Sequence, residues 1–413
     1  MTDTTTVTDT TSGKPGIPGF PMARDARCPF DPPKEYERLR SERPVARVAL
    51  WDGTHPWLIT RYADQRAILG DPRFSADARN PGYPAQSPST KANRKVSVSF
   101  IATDDPEHSR YRQMLTKHFT FRRTQAMRPR IQRIVDGLID DLVAGPRPVD
   151  LFTEFALPIP STVICDLLGV PYADHTFFQE HTSVAVSFDA SAEQSLASRA
   201  ELGAYMGELL DAKNRTPGDD ITSTLVVEQL RTGAVDRQQA VGMLLLLLAA
   251  GHETTANQIA LGVLALLQHP DQLAKVRDAD GPGIVTAVEE LLRYLTIAHS
   301  GRRRVATEDV EIGGQLIRAG EGVVLPGDAG NRDGAVFENP DRLDVTRQAR
   351  HHVAFGYGVH QCLGQPLARA ELQVAYPTLL RRLPELRLAV PLAEIPFRHD
   401  KLAYGVYELP VTW

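Results

Sequence analysis

The stretch Phe355-Gly356-Tyr357-Gly358-Val359-His360-Gln361-Cys362-Leu363-Gly364 sets one cysteine in a glycine-rich loop. Apolar residues at helical spacing follow from Gln365 to Leu383, which predicts a helix starting just after the cysteine. Glycines at 356, 358 and 364 allow backbone to approach something flat or bulky. The amides and dipole at the helix start point back at the sulfur, an arrangement that favours a thiolate over a thiol.

A thiolate held by backbone N–H groups is what an axial ligand of haem iron requires. A buried structural cysteine after a glycine-rich turn is the plainer alternative. The spacing of Phe355, Gly358, His360, Cys362 and Gly364 resembles the haem-binding loop of the cytochrome P-450 superfamily. That resemblance implies haem b (iron protoporphyrin IX), one per chain, with Cys362 as the iron ligand. It also implies that Phe355 packs near the haem and that His360 reaches a propionate.

Upstream, the longest helical pattern runs from about Asp236 to Gln268, with Met243 to Ala250 apolar on every side. A helix of that length spans about 45–50 Å, and its apolar girth predicts burial. Ala250-Gly251-His252-Glu253-Thr254-Thr255 interrupts it, a poor choice for stability alone. Threonine hydroxyls can bond to carbonyls of the preceding turn and leave a notch for oxygen and water. The segment resembles the family's oxygen-activation motif, which implies Glu253 as the acid, Thr254 as the alcohol, and Ala250 and Gly251 against the haem. A kinked core helix with incidental polar residues is the alternative.

Three further segments extend the resemblance. Asp104-Asp105-Pro106-Glu107 caps a helix through Phe119 that sets His108 and Arg112 on one face. The family's matching pair binds haem propionates; an ordinary solvated basic face is the plainer reading. Arg304, in Gly301 to Asp309, aligns with the second propionate-binding arginine, although Arg302 and Arg303 blur the register. Glu290 and Arg293 match the structural Glu-x-x-Arg, which in the family meets an arginine of a later Pro-x-Arg, here Arg342. These three residues are expected to serve folding rather than catalysis.

The chain has 413 residues, 42% hydrophobic content, a net charge of −5 and three cysteines. Length alone suggests two or three domains. The resemblance instead implies a mainly α fold, a triangular helical prism with small β-sheets at one side. It forms a single catalytic domain over residues 26–413, after a disordered tail over 1–25. The negative charge offers no general affinity for nucleic acid. Sparse, odd cysteines argue against a disulfide framework and suit the cytoplasm, and Cys165 reads as core. The Thr- and Asp-rich start lacks a signal peptide's pattern, and the longest apolar run is too short to span a bilayer.

Elsewhere the pattern predicts helices over Pro32–Arg43, Arg61–Leu69, Arg130–Leu142 and Phe152–Leu168. It predicts a hairpin over Val45–Thr60 turning at Asp52-Gly53, and a loop over Pro72–Ser99 on one side of the substrate pocket. Tyr172–Asp189, with Phe177, Phe178, Val184, Val186 and Phe188, resembles the mobile lid. Ile395–Tyr404 resembles the terminal turn that touches substrate.

The resemblance implies a haem-thiolate monooxygenase, closest to soluble actinobacterial enzymes acting on macrolide-, sterol- or polyketide-like molecules by hydroxylation or epoxidation. The protein is expected to be a monomer. No Gly-x-Gly-x-x-Gly follows a strand, so electrons must come from elsewhere; the resemblance implies NAD(P)H as their source, through a ferredoxin reductase and a ferredoxin. Residues 104–133 carry eight Lys or Arg against three acids, a patch suited to an acidic partner that includes Arg110 and Lys117. Two other functions are compatible with a haem-binding chain. A peroxygenase driven by hydrogen peroxide lacks the acid–alcohol pair, and a haem sensor or carrier needs neither relay nor redox patch.

Overall fold

The computed structural model describes residues 17–25, 28–96, 99–185 and 187–413, and helices dominate it. Eight of them position the site: Glu107–Thr116 (α1), Phe121–Ala144 (α2), Pro158–Leu168 (α3), His175–Ala185 (α4), Ala192–Arg215 (α5), Arg237–Leu267 (α6), Gly281–Leu295 (α7) and Gln365–Arg382 (α8). One hydrophobic cluster runs from Phe30 to Val411 and takes in the buried faces of α2, α3 and α5 to α8.

Local chemistry sets the helix limits. At the start of α6, the Asp236 side chain accepts from the Gln239 amide, and the Gln239 side chain accepts from the Asp236 amide. This reciprocal cap satisfies two amides that would otherwise lack partners. Every residue from Thr255 to Leu266 is buried, so this part of the helix is enclosed all round. Asp280 caps α7 through the Gly283 amide, and Ile284, Ala287, Val288, Leu291 and Leu295 form its buried stripe.

The largest sheet joins Val45–Arg47 (β1), Trp57–Ile59 (β2), Phe74–Ser75 (β3), Arg302–Ala306 (β4) and Gly322–Leu325 (β5) in the order β1-β2-β5-β4-β3. Only the β2–β5 pairing is parallel. The expected hairpin is β1–β2, with Gly53 at φ +77° in its turn. Arg302, Arg303 and Arg304 are successive residues of β4, opposite Leu325, Val324 and Val323. Side chains alternate along a strand, so Arg302 and Arg304 share a face and Arg303 takes the other.

Several expectations change. The tail expected over residues 1–25 does not hold at its end: Phe20 is buried, its amide donates to Ala49 O at 2.9 Å, and Arg24 forms a buried ion pair with Asp328 at 2.9 Å. This strap adds a rung beyond the β1–β2 hairpin. The loop expected over Pro72–Ser99 contains a helix, Pro88–Val96. The helix expected from Arg130 begins at Phe121 and runs through Pro129. Phe152–Leu168 is split, because Phe152–Ala156 forms wider turns and Pro158, which has no N–H, sits in the first turn of α3. Val186 of the expected lid lies outside the described residues. Among those described, no helix is long and apolar enough to cross a membrane.

Candidate active site

The cysteine loop is a tight fold whose glycines have distinct tasks. Gly356 and Gly358 adopt φ +78° and +73°. A Cβ at Gly358 would stand 2.3 Å from Leu69 O, so only glycine fits there. Gly364 has an ordinary φ of −78°, and a Cβ there would meet nothing within 4 Å. The Cys362 amide donates to Phe355 O at 2.9 Å, which closes the loop.

Cys362 is accessible, yet burial is the leading influence on its thiol. The two facts together place it on the wall of an internal hollow. Burial pushes the thiol up, while the Gly364 amide and the guanidinium groups of Arg302, Arg112 and Arg369 pull the other way. The helix-start effect expected from sequence is therefore present but outweighed by enclosure. Such a thiol ionises when a metal cation takes the place of its lost hydration.

Around the loop stand three arginines with no carboxylate bonded to them among the described residues. Arg112 donates to Gln361 O at 2.7 Å, Arg302 to Ala354 O at 2.7 Å, and Arg304 to Arg303 O at 2.7 Å. The His108 and His360 rings lie 3.9 Å apart. Neither His108 nitrogen has a hydrogen-bond partner, nor does His360 Nδ1; the Asp105 carboxylate lies 3.5 Å from His108 Nδ1. Burial and the neighbouring cations push His360 down to about 3, Arg302 to about 10 and His108 down as well, while burial alone pushes Arg112 and Arg304 down. Orphaned donors and crowded like charges are costly unless an anion joins them. Haem, with two propionates and an iron that takes a thiolate, fits this donor set.

Two braces hold the loop, and sequence reading missed one of them. Glu289 accepts from Arg369 Nε at 2.6 Å and pairs with His352 Nε2 at 3.1 Å. Those partners outweigh burial and hold its carboxyl down at about 2. Arg369 in turn lies over the Phe355 ring at 4.6 Å. The second brace is Glu290–Arg293, fully buried, with Arg293 Nε 2.7 Å from Glu290 Oε2. Here the expected third member is corrected. Arg347, not Arg342, reaches Glu290, at 3.1 Å, whereas Arg342 is exposed and contributes its backbone carbonyl to Arg293. The chain between them bends back, so the later arginine meets the acid.

On α6, Ala250 is exposed, and Gly251 and Thr254 are half-buried, although the helix around them is enclosed. Thr254 Oγ1 donates to Ala250 O at 2.7 Å, the bond that the notch argument required, and the helix continues unbroken. Glu253 is buried, with Arg398 Nη1 3.5 Å from its carboxylate. Burial pushes the Glu253 carboxyl up, opposed by Arg398 and Lys401. On α8, Glu371 is buried beside Thr255 and pushed up to about 8. Arg398, Lys401 and Glu371 were not singled out from sequence.

The basic segment is partly neutralised: Lys117 pairs with Glu228, Arg130 with Asp166 at 2.8 Å, and Arg110 donates to Ala234 O. Arg122 and Arg133 are exposed. Two surface clefts of about 620 and 490 Å³ are lined by other residues than Cys362, so cleft volume does not point to this chemistry.

A sequence model of the cytochrome P-450 family matches residues 284–389. The chain is 53% identical to cytochrome P-450 GfsF of Streptomyces halstedii over 418 residues, covering all of both chains. The crystal structure of GfsF superposes with a TM-score of 0.90, covering 96% of this chain and all of that one. The mycinamicin VIII methyl hydroxylase MycCI of Micromonospora griseorubida, solved with mycinamicin VIII bound, is 41% identical with a TM-score of 0.90, over 96% of this chain and all of that one. The 20-oxo-5-O-mycaminosyltylactone 23-monooxygenase of Streptomyces fradiae is 45% identical, over 98% of this chain and 94% of that one.

Proposed function

The chain belongs to the cytochrome P-450 family, is an oxygen-incorporating monooxygenase and uses haem; on that premise we propose residue roles, a substrate class and an electron source. Cys362 ligates the iron. His108, Arg112, Arg304 and His360 hold the propionates, joined by Arg302, and Phe355 backs the haem under Arg369. Ala250 and Gly251 border its other side. Haem supplies dioxygen activation and oxidising power; the chain supplies ligand, orientation and protons.

Thr254 Oγ1 spends its proton on Ala250 O, which leaves its lone pairs to order water in the hollow. Glu253, pushed up by burial, holds and passes a proton to that water. The substrate is a hydrophobic macrolide- or polyketide-like molecule, as the names of the related hydroxylase and monooxygenase suggest. Electrons come from NAD(P)H through a reductase and an acidic ferredoxin that docks on the basic face.

The observation that carries this reading is one enclosed thiol ringed by Arg112, Arg302 and Arg304, which donate to backbone carbonyls, and by the orphaned ring nitrogens of His108 and His360. The test is turnover of macrolide substrates with ferredoxin and reductase. Product formed with NAD(P)H and little peroxide supports the assignment. Product formed only with added hydrogen peroxide would make the protein a peroxygenase. Haem binding without turnover under either condition would favour a sensor or carrier.

A further inference from the structure

The acid of α6 is held by a distant part of the chain. The turn Phe397–Val406, closed by a bridge between those two residues, lies directly on α6. At Gly405 a Cβ would stand 1.7 Å from Asn257 Oδ1, so the turn meets the helix one turn beyond Glu253. Asn257 Nδ2 donates to Glu253 O at 2.8 Å. From this turn Arg398 enters the interior. Its guanidinium lies over the Phe152 and Tyr407 rings, at 4.6 and 5.0 Å, and reaches Glu253 at 3.5 Å, with both side chains buried.

The same turn is bound to the chain that leaves α4. Ser187 and Lys401 form a backbone bridge, the Phe188 amide donates to Asp400 O at 2.9 Å, and Lys401 Nζ donates to Ser183 O at 3.4 Å. Tyr407 donates to the Asp400 carboxylate at 2.7 Å, which fixes the outer edge of the turn. One element therefore touches both the acid and the chain that leaves α4.

We propose that Arg398 is a positioning residue for Glu253, and that the Phe397–Val406 turn couples the orientation of that acid to the chain following α4. The proposal rests on the reading that Glu253 passes protons. At 3.5 Å the pair is long for a charge-assisted hydrogen bond, so the carboxylate is oriented yet free to exchange Arg398 for water. The charged and titratable groups facing Glu253 are Arg398 and Lys401, with Asp400 and Tyr407 behind them and His252 on its own helix. Burial pushes His252 down to about 4, so it is neutral near pH 7.

The test is an infrared titration of haem-loaded protein carrying 13C-carboxyl glutamate. The Glu253 band is assigned by its loss in E253Q. R398Q removes an opposite charge from a buried acid and should raise the midpoint by about one pH unit or more. R398K keeps the charge and should leave the midpoint near that of the unmodified protein and restore the ratio of product to NAD(P)H lost in R398Q. An unmoved midpoint in R398Q overturns the proposal. If R398Q does not fold, R398K decides: retained coupling supports it, whereas lost coupling at an unchanged midpoint reduces Arg398 to packing between two rings. E253Q with unimpaired coupling would sink the proton-passing role instead, and the midpoint would still decide the pairing.

Discussion

Around Cys362 three arginines stand without a carboxylate bonded to them among the described residues, whereas around Glu253 an acid and a base face each other. Arg112, Arg302 and Arg304 donate to backbone carbonyls, and the His108–His360 pair lies close by with orphaned ring nitrogens. Glu253 has Arg398 at 3.5 Å inside the protein. The first arrangement is incomplete by charge and calls for an anionic, metal-bearing guest. The second is internally balanced, so it can hold a proton donor without one. A one-sign cluster marks where something binds; a loose buried pair marks where a proton can be handled.

The cysteine side depends on its braces, and breaking one should give the largest effect. Arg293→Ala leaves Glu290 buried and partly unpaired, a loss of about 3–5 kcal/mol. Thermal unfolding should show little folded haem-loaded protein. Arg347→Ala should be clearly destabilising, and Arg342→Ala should stay within about 0.5 kcal/mol of the unmodified protein, as exposed positions do. The reverse order would restore the arginine expected from sequence.

Next comes the one-sign cluster itself. Arg112→Ala and Arg304→Ala each remove a charged donor, worth about 1.5–3 kcal/mol, or roughly tenfold or more in haem retention. Transfer of haem to an apo-globin acceptor measures it. The same substitutions should relieve repulsion in the haem-free protein, so its unfolding temperature should hold or rise. A fall in both would mean that these arginines stabilise the fold rather than await a guest.

On the paired side, Thr254→Ala should lower product per NAD(P)H on the order of tenfold, with the missing electrons recovered as peroxide. Tightly coupled turnover would leave Thr254 a helix residue. Glu289 gives a smaller, pH-dependent effect. Its carboxyl is held down from 4.5 to about 2 in the folded protein. The folded state therefore binds its proton less readily, and the stabilisation is full above about 4.5 and fades as pH falls toward about 2. Acid unfolding of Glu289→Gln should approach that of the unmodified protein across that window and lie below it above. The smallest effect belongs to the basic face. Charge reversal at Arg122 should slow reduction by an acidic ferredoxin and flatten its salt dependence, because screening acts over ~8 Å at physiological ionic strength. Reversal at Lys117 should do less, since Glu228 already balances it.

What sequence revealed follows the same division. The cysteine loop and the Glu253-Thr254 step are local, so their spacing was legible, as were α6 and the β1–β2 hairpin. Arg302 could have been found as well, because a strand puts alternate residues on one face. Arg398, Arg369 and Arg347 could not be placed, since each acts across 57 to 145 residues of chain. No local period encodes such a meeting. The strap at Phe20–Arg24 was hidden for the same reason: its partners, Ala49 and Asp328, are set by the tertiary fold.

The claim on which the rest depends is that Cys362 is the sole protein ligand of the haem iron. Iron-edge X-ray absorption of the haem-loaded protein, read with the carbon monoxide difference spectrum, tests it directly. The account predicts one sulfur scatterer and a thiolate-type spectrum, both kept in Cys28→Ser and Cys165→Ser and both lost in Cys362→His. A sulfur signal that survived in Cys362→His, or that vanished with Cys28 or Cys165, would contradict it.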